Sequence, residues 1–286
     1  MHNDTPTPSD RGAVNLDNEQ QVHWDQPMSY GEYLDLAPLL TCQNPISDQH
    51  DEMLFVIIHQ VSELWLKQCL HEAHAAARAI ETDALRPAFK MLTRVARIQA
   101  QMINAWEVLA TMTPSDYLAF RDSLGQSSGF QSYQYRELEF LLGNKHPRLA
   151  EAHRRHPAHY QRLQEVLAAP SLYDVCLQLL ARRGFELPAS SLERDWSTPY
   201  VASPEVEAAW STIYRHSERH WDLYELAEKL IDTEYNFHKW RFSHMKTVER
   251  IIGQRSGTGG TSGVGYLKKA LELQFFPELW SVRADL

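Results

Sequence analysis

Glycine is nearly absent from most of this 286-residue chain, and half of its twelve glycines fall between Gly253 and Gly265. There is no ladder of short alternating segments either, which leaves little from which to build a sheet. The three cysteines, Cys42, Cys69 and Cys176, lie far apart and include no Cys-x-x-Cys pair. This excludes a cysteine-built zinc site and thioether attachment of a haem, and the three read as reduced thiols of a cytoplasmic protein. No apolar run reaches spanning length, and Met1 to Gln21 is polar without an apolar core, so neither a membrane span nor a signal peptide is expected. The net charge of -9 comes from acids scattered among bases, with no dense basic stripe, so nucleic acid is not an expected partner. Three catalytic patterns are also missing. There is no Gly-x-Ser-x-Gly elbow, His71-Glu72-Ala73-His74 is one position short of His-Glu-x-x-His, and no Glu has a His three residues on as carboxylate-bridged di-iron bundles require.

What the chain has is helical periodicity, and the expected class is all-α. Residues 1–26 carry Pro, Asp, Asn and Gln with few apolar anchors and read as a disordered arm. Residues 27–286 read as a single helical domain. Its first element has Ser29 as cap and Tyr30, Tyr33, Leu34 and Ala37 three or four apart, a short apolar face that must lie against its own domain or a second subunit. Asp48 to Thr82 reads as a long helix with Leu54, Ile57, Ile58, Val61, Leu64 and Trp65 as its broad core face and Phe55, His59 and Ser62 as a narrower stripe beside it. A further helix spans Leu85 to Thr111, with Met91, Leu92, Val95, Ile98, Met102 and Trp106 as its apolar set. Thr113-Pro114-Ser115-Asp116 is a helix start, with Tyr117 and Arg121 one turn apart behind it. The pattern weakens from 147 to 203, a candidate peripheral insertion. A helix from Pro204 to Ile252 would reach on the order of 70 Å, so a kink or contacts with another subunit are expected in it.

The chain turns on Glu234 to Gly265. Phe237, Trp240, His244, Thr247 and Ile251 share one face, which puts a histidine inside an apolar stripe. His244 is either a satisfied core histidine or a metal or haem ligand, and His59 is open in the same way. Arg121 is either a surface arginine or a guanidinium held to grip a carboxylate. The glycine run that follows is superficially similar to a dinucleotide fingerprint, but a long helix precedes it where a strand is needed, and no Gly-Lys-Ser/Thr completes a phosphate loop. It is a linker, or a lid carrying Thr258, Thr261 and Ser262.

Four stretches together resemble the tryptophan 2,3-dioxygenase family. They are Asp51 to Lys67 (DEMLFVIIHQVSELWLK), Tyr117 to Ser132 (YLAFRDSLGQSSGFQS), Trp240 to Met245 (WRFSHM) and Gly257 to Gly265 (GTGGTSGVG), within a resemblance that runs from about Ser29 to Arg283. The resemblance implies a haem-binding helical bundle that inserts both atoms of O2 at the indole C2–C3 bond of L-tryptophan to give N-formyl-L-kynurenine. It implies one haem b per subunit, ferrous in the active form, with His244 as the axial ligand. His59 falls on the distal, catalytic position facing the indole N–H. Substrate contacts fall on Phe55, Val56, Ile57, Ile58 and His59, on Tyr117 and Arg121, the latter at the carboxylate, and on Thr258 in the loop. Tyr30, Tyr33 and Leu34 are implied to complete the indole wall of a neighbouring subunit in a homotetramer. Two other readings share some of these residues: a haem sensor without turnover, and a helical scaffold in which both histidines are core.

Overall fold

The computed structural model describes residues 28–260 and 262–286, and every described element is helical. The expected arm 1–26, and Thr261 of the loop, lie outside the described residues. The described chain falls into two units, one ending at Asn44 and one from Pro45 to Leu286, each compact by itself.

In the first unit the expected helix is two single turns, α1 (Tyr30–Tyr33) and α2 (Leu36–Leu39), neither with a buried side chain. Ser29 caps α1 in a reciprocal box with Glu32, as a Ser-x-x-Glu pattern dictates. Asp35 then takes a left-handed φ of 52°, which a short polar side chain tolerates and an α-helix does not, so the two turns cannot merge.

The second unit is built on three long helices: α3 (His50–Glu81), α4 (Leu85–Leu109) and α11 (Trp221–Ile252). The middle one, α4, packs along both of the others. Its buried residues Leu85, Ala88, Leu92, Val95, Ile98, Met102, Trp106 and Leu109 recur every three or four positions, so one continuous stripe faces the core. On α3 the expected core face is only partly right. Ile58 is buried, but Ile57 and Leu64 are 41% and 49% exposed, and the inward stripe continues instead through Leu66, Cys69, Ala73, Ala76 and Ile80. Alanines at 73, 76 and 77 bring α3 close to its neighbours there, and the bulky ridge of Met53, Ile57 and Leu64 is left outside.

The helix expected from Pro204 to Ile252 is broken into α10 (Pro204–Arg215) and α11. Residues 216–220, His-Ser-Glu-Arg-His, offer no apolar anchor, while Ile213 and Leu223 on either side are buried in the core. The chain bends where no burial holds the helix straight. Within 147–203, the candidate peripheral insertion, α8 (Leu172–Arg182) is core: Leu172 to Leu177, Leu179 and Leu180 are all buried, and α8 packs on α3.

Buried carboxylates fasten the C-terminal segment. Glu234, fully buried midway along α11, accepts hydrogen bonds from the amides of Phe275 (2.6 Å) and Phe276 (3.2 Å) and from the Trp280 indole (2.8 Å). Burial pushes its pKa up, and these donors pull it back. Glu278, on α13 (Pro277–Ser281), accepts from the hydroxyls of Tyr173 and Tyr200 and from the Ser203 amide. Glu234→Ala would strand two buried amides and the part-buried Trp280 indole, an expected loss of about 3 kcal/mol. A urea-unfolding midpoint unchanged from the parent would contradict this.

Candidate functional site

α3, α4 and α11 enclose a cavity of about 240 Å³. Phe55, His59, Ser62 and Leu66 reach it from α3, Trp106 and Leu109 from α4, and Trp240, His244, Thr247 and Ile251 from α11. Each set is spaced at three or four residues, so a single face of each helix forms the wall. The walls are mainly aromatic and aliphatic. Phe55 lies against His59 (centroids 4.2 Å apart), Tyr117 (6.0 Å) and Phe120 (5.6 Å).

The two histidines enter the cavity differently prepared. Nδ1 of His59 is 2.7 Å from the Phe55 carbonyl, which can only accept, so Nδ1 carries the hydrogen and Nε2 of the neutral ring keeps its lone pair. Burial holds the His59 pKa below the ordinary histidine value, against a smaller upward pull from that carbonyl and from Glu63. Burial lowers His244 to about 4, and the neighbouring His59 adds to the effect. Both rings are only half-buried by surface, because the open part of each faces the cavity and not bulk water. Among the described residues no group hydrogen-bonds the His244 ring. Its plane is fixed by stacking on Trp106, with centroids 4.5 Å apart and planes 9° apart.

Two loops close one end. Thr258 donates its hydroxyl to the Ser127 carbonyl, and Arg121 Nη2 donates to the Ser256 carbonyl at 2.9 Å, so both segments hold the 253–263 loop over the cavity. At Gly259 an added Cβ would lie 2.6 Å from Cβ of Ser128, so only glycine permits this approach. Arg121 is itself off the cavity wall, at the end of α5 (Pro114–Arg121), whose cap is a reciprocal Thr113–Asp116 box. It lies against the Tyr117 phenol, and its Nε is buried without a partner among the described residues. Burial raises the Tyr117 pKa and the guanidinium partly offsets this.

Of the residues singled out in the sequence, Phe55, His59, Tyr117, Thr258 and His244 line this one cavity. Val56, Ile57 and Ile58 do not: helical phase turns Ile58 into the core and Ile57 to solvent. Tyr30, Tyr33 and Leu34 belong to the first unit and are exposed. Glu63, Tyr135, Arg136 and Arg241 also line the cavity and were not anticipated. For Arg241 a signal existed, since it follows Trp240 and lies one helical turn after Phe237, both buried residues of the apolar stripe on α11.

A neutral, unpartnered imidazole aimed into an apolar cavity fits a planar iron porphyrin better than a bare metal ion. Fold and cavity together define an all-helical protein with a largely aromatic and aliphatic cavity between its long helices. The chain belongs to the tryptophan 2,3-dioxygenase family, whose profile matches residues 17–170 and 211–286. It is 54% identical over 285 residues to the tryptophan 2,3-dioxygenase of Burkholderia lata, covering 100% of this chain and 91% of that protein. The Bordetella pertussis protein of the same name is 53% identical over 282 residues (98% and 99% coverage), and that of Bacillus cereus 55% over 270 residues (94% and 97%). The stretch outside the profile, 171–210, overlaps the weakly patterned segment without coinciding with it.

Gly263 has φ +60° and an added Cβ would meet the Arg255 carbonyl at 2.6 Å. Gly263→Ala is therefore expected to unseat the loop, at a cost of about 1–2 kcal/mol from the left-handed backbone alone. Tryptic cleavage after Arg255 should accelerate severalfold, and an unchanged cleavage rate would contradict the steric account.

Proposed function

We propose that this chain is a haem-dependent dioxygenase that inserts both atoms of O2 at the indole C2–C3 bond of L-tryptophan and yields N-formyl-L-kynurenine, the first step of tryptophan degradation by the kynurenine pathway. The observation that carries the reading is the pair of neutral imidazoles, His59 on α3 and His244 on α11, facing one aromatic cavity in a member of this family. His244 would hold the iron of one haem b per chain. When bound, the haem supplies ferrous iron with an open position for O2.

The chain's own residues do the rest. Nε2 of His59 accepts the indole N–H and so sets which edge of the ring faces the iron; with an N–H this weakly acidic, the role assigned is positioning. Phe55 and the surrounding aromatics take the indole out of water, a transfer worth about 2–3 kcal/mol. Arg121 keeps one donor on the loop through Ser256 and has Nε free, so it can bind the substrate carboxylate while still holding the loop. Thr258 and Tyr117 stand beside it as the contacts for the amino-acid end. From the run 55–59, substrate contact is assigned to Phe55 and His59 alone.

Two exposed apolar surfaces support a homotetramer. One is Tyr30, Tyr33 and Leu34 on the first unit, and the other is Met53, Ile57 and Leu64 on α3. The proposed arrangement has the first unit of one subunit completing a neighbour's site. No described helix is long and apolar enough to cross a membrane, and Cys69 and Cys176 are buried thiols, which suits a cytoplasmic location. A haem sensor would share His244 but leaves the Arg121 and Thr258 loop contacts without a purpose.

The parent protein, reduced and supplied with tryptophan and O2, is expected to form N-formylkynurenine, and His244→Ala is expected to lose or shift the Soret band. A colourless parent that cannot be loaded with haem would end the reading. Because burial holds His59 neutral, the acid limb of kcat/KM should fall below the ordinary histidine pKa of about 6.5. His59 acts in its neutral form, so activity is retained at neutral pH and lost only as pH drops through that lowered value. A limb at or above it would remove His59 from the role.

A further inference from the structure

Arg136, on α6 (Tyr133–Leu142), and Arg241, on α11, both line the cavity and share a single carboxylate, Glu139. All three side chains are at least 97% buried. Every nitrogen of Arg241 has a partner: Nε donates to the Tyr135 hydroxyl (3.3 Å), Nη1 to the Ala270 carbonyl (2.9 Å) and Nη2 to Glu139. Tyr135 donates in turn to Glu139 at 3.0 Å and, with its pKa pushed well up by burial, stays a neutral phenol. Arg136 is not fully used. Nη1 donates to Glu139, while Nε is buried without a partner among the described residues. Phe130 and Tyr135 flank its guanidinium at 5.3 and 5.6 Å.

Two guanidinium groups against one carboxylate leave one positive charge in this cluster. The nearby His153 does not change this balance, since burial and Arg136 itself keep it neutral. Glu63, a carboxylate on the cavity wall, is partly exposed, accepts from Gln134, and does not join the cluster's hydrogen bonds. Burying an unmatched charge with an idle donor is costly unless a ligand completes it.

We propose that Arg136, held by Glu139 and Arg241, binds a carboxylate of the cavity's occupant. Resting on the functional reading above, the source it favours is a porphyrin propionate and not the amino-acid carboxylate. Arg241 is three residues before His244, so the cluster lies on the His244 side of the cavity within one helical turn. Arg121, with its own free donor, is tied instead to the loop.

The test loads the full chain with haem or with haem dimethyl ester, whose propionates carry no charge, and follows loss to excess apomyoglobin. The parent should lose the diester about tenfold faster than haem or more, as expected for a charge-assisted contact. Arg136→Gln should release haem as fast as it releases the diester, Arg136→Lys should recover part of the difference, and KM for tryptophan should stay at the parent value. Equal loss of haem and diester from the parent overturns the proposal, and so does an Arg136→Gln effect of the same size on both porphyrins, which marks a structural role. Normal haem retention with a raised KM in Arg136→Gln upholds the carboxylate site and transfers it to the amino acid. A parent that takes up no haem defeats the functional reading as well, whereas a haem-loaded parent indifferent to Arg136 defeats this inference alone.

Discussion

Trp106 is the contact on which the arrangement depends. Its indole lies flat on His244 and, at 6.5 Å, stands edge-on to His59. Because α4 packs between α3 and α11, one side chain from the middle helix touches the ring contributed by each outer helix. The relative phase of three helices is thereby fixed at one point. A rotation of α11 by a single residue, about 100°, would carry His244 out of the cavity and break the stack at once. The remaining aromatic contacts, Trp106 to Trp240 at 5.7 Å and Tyr135 to Trp240 at 5.3 Å, extend the same registration to α6.

The three helices were legible because each is amphipathic at a constant period, and their ends were legible where a cap is made by neighbours in sequence. Ser29–Glu32 and Thr113–Asp116 both form as their spacing dictates. What could not be read depends on partners far along the chain. α8 carries a polar line, Asp174, Gln178 and Arg182 four apart, but Asp174 is buried by its bonds to Ser171 and to Arg194, a residue twenty positions on, so the depth of this helix depends on a distant partner. The break after Arg215 has neither glycine nor proline to mark it. On α3 two apolar stripes lie side by side, and sequence alone ranked the bulkier one as core, whereas Phe55, His59 and Ser62 face inward and Ile57 and Leu64 face out. The site residues on that narrower stripe were found through family likeness and not through period.

Polar residues inside the fold are the least legible, and they fall into two groups. Glu234 and Glu278 are complete, each taking three donors from segments distant in sequence. Lys145 is similar, its ammonium capping the carbonyls of Val166, Leu167 and Ala169 at the end of α7 (Pro157–Ala168). These lock chain to chain and leave nothing over. Arg121 and Arg136, by contrast, each retain a buried Nε with no partner among the described residues, and both stand at or beside the cavity. Burial alone does not distinguish these two arginines from Glu234, Glu278 and Lys145; the donors left over do.

The same accounting distinguishes the two histidines. Burial keeps both rings neutral, so desolvation by itself would make them equivalent. The difference lies in the backbone. His59 gives its Nδ1 hydrogen to the carbonyl one turn earlier, which commits Nε2 to accepting and orients it. His244 has no such commitment, only the face of Trp106, which restrains the plane of the ring without occupying either nitrogen. A ring prepared in the first way suits a substrate N–H, and one prepared in the second way suits a metal. The proposed division of labour between two identical side chains rests on one hydrogen bond present at His59 and, among the described residues, absent from His244.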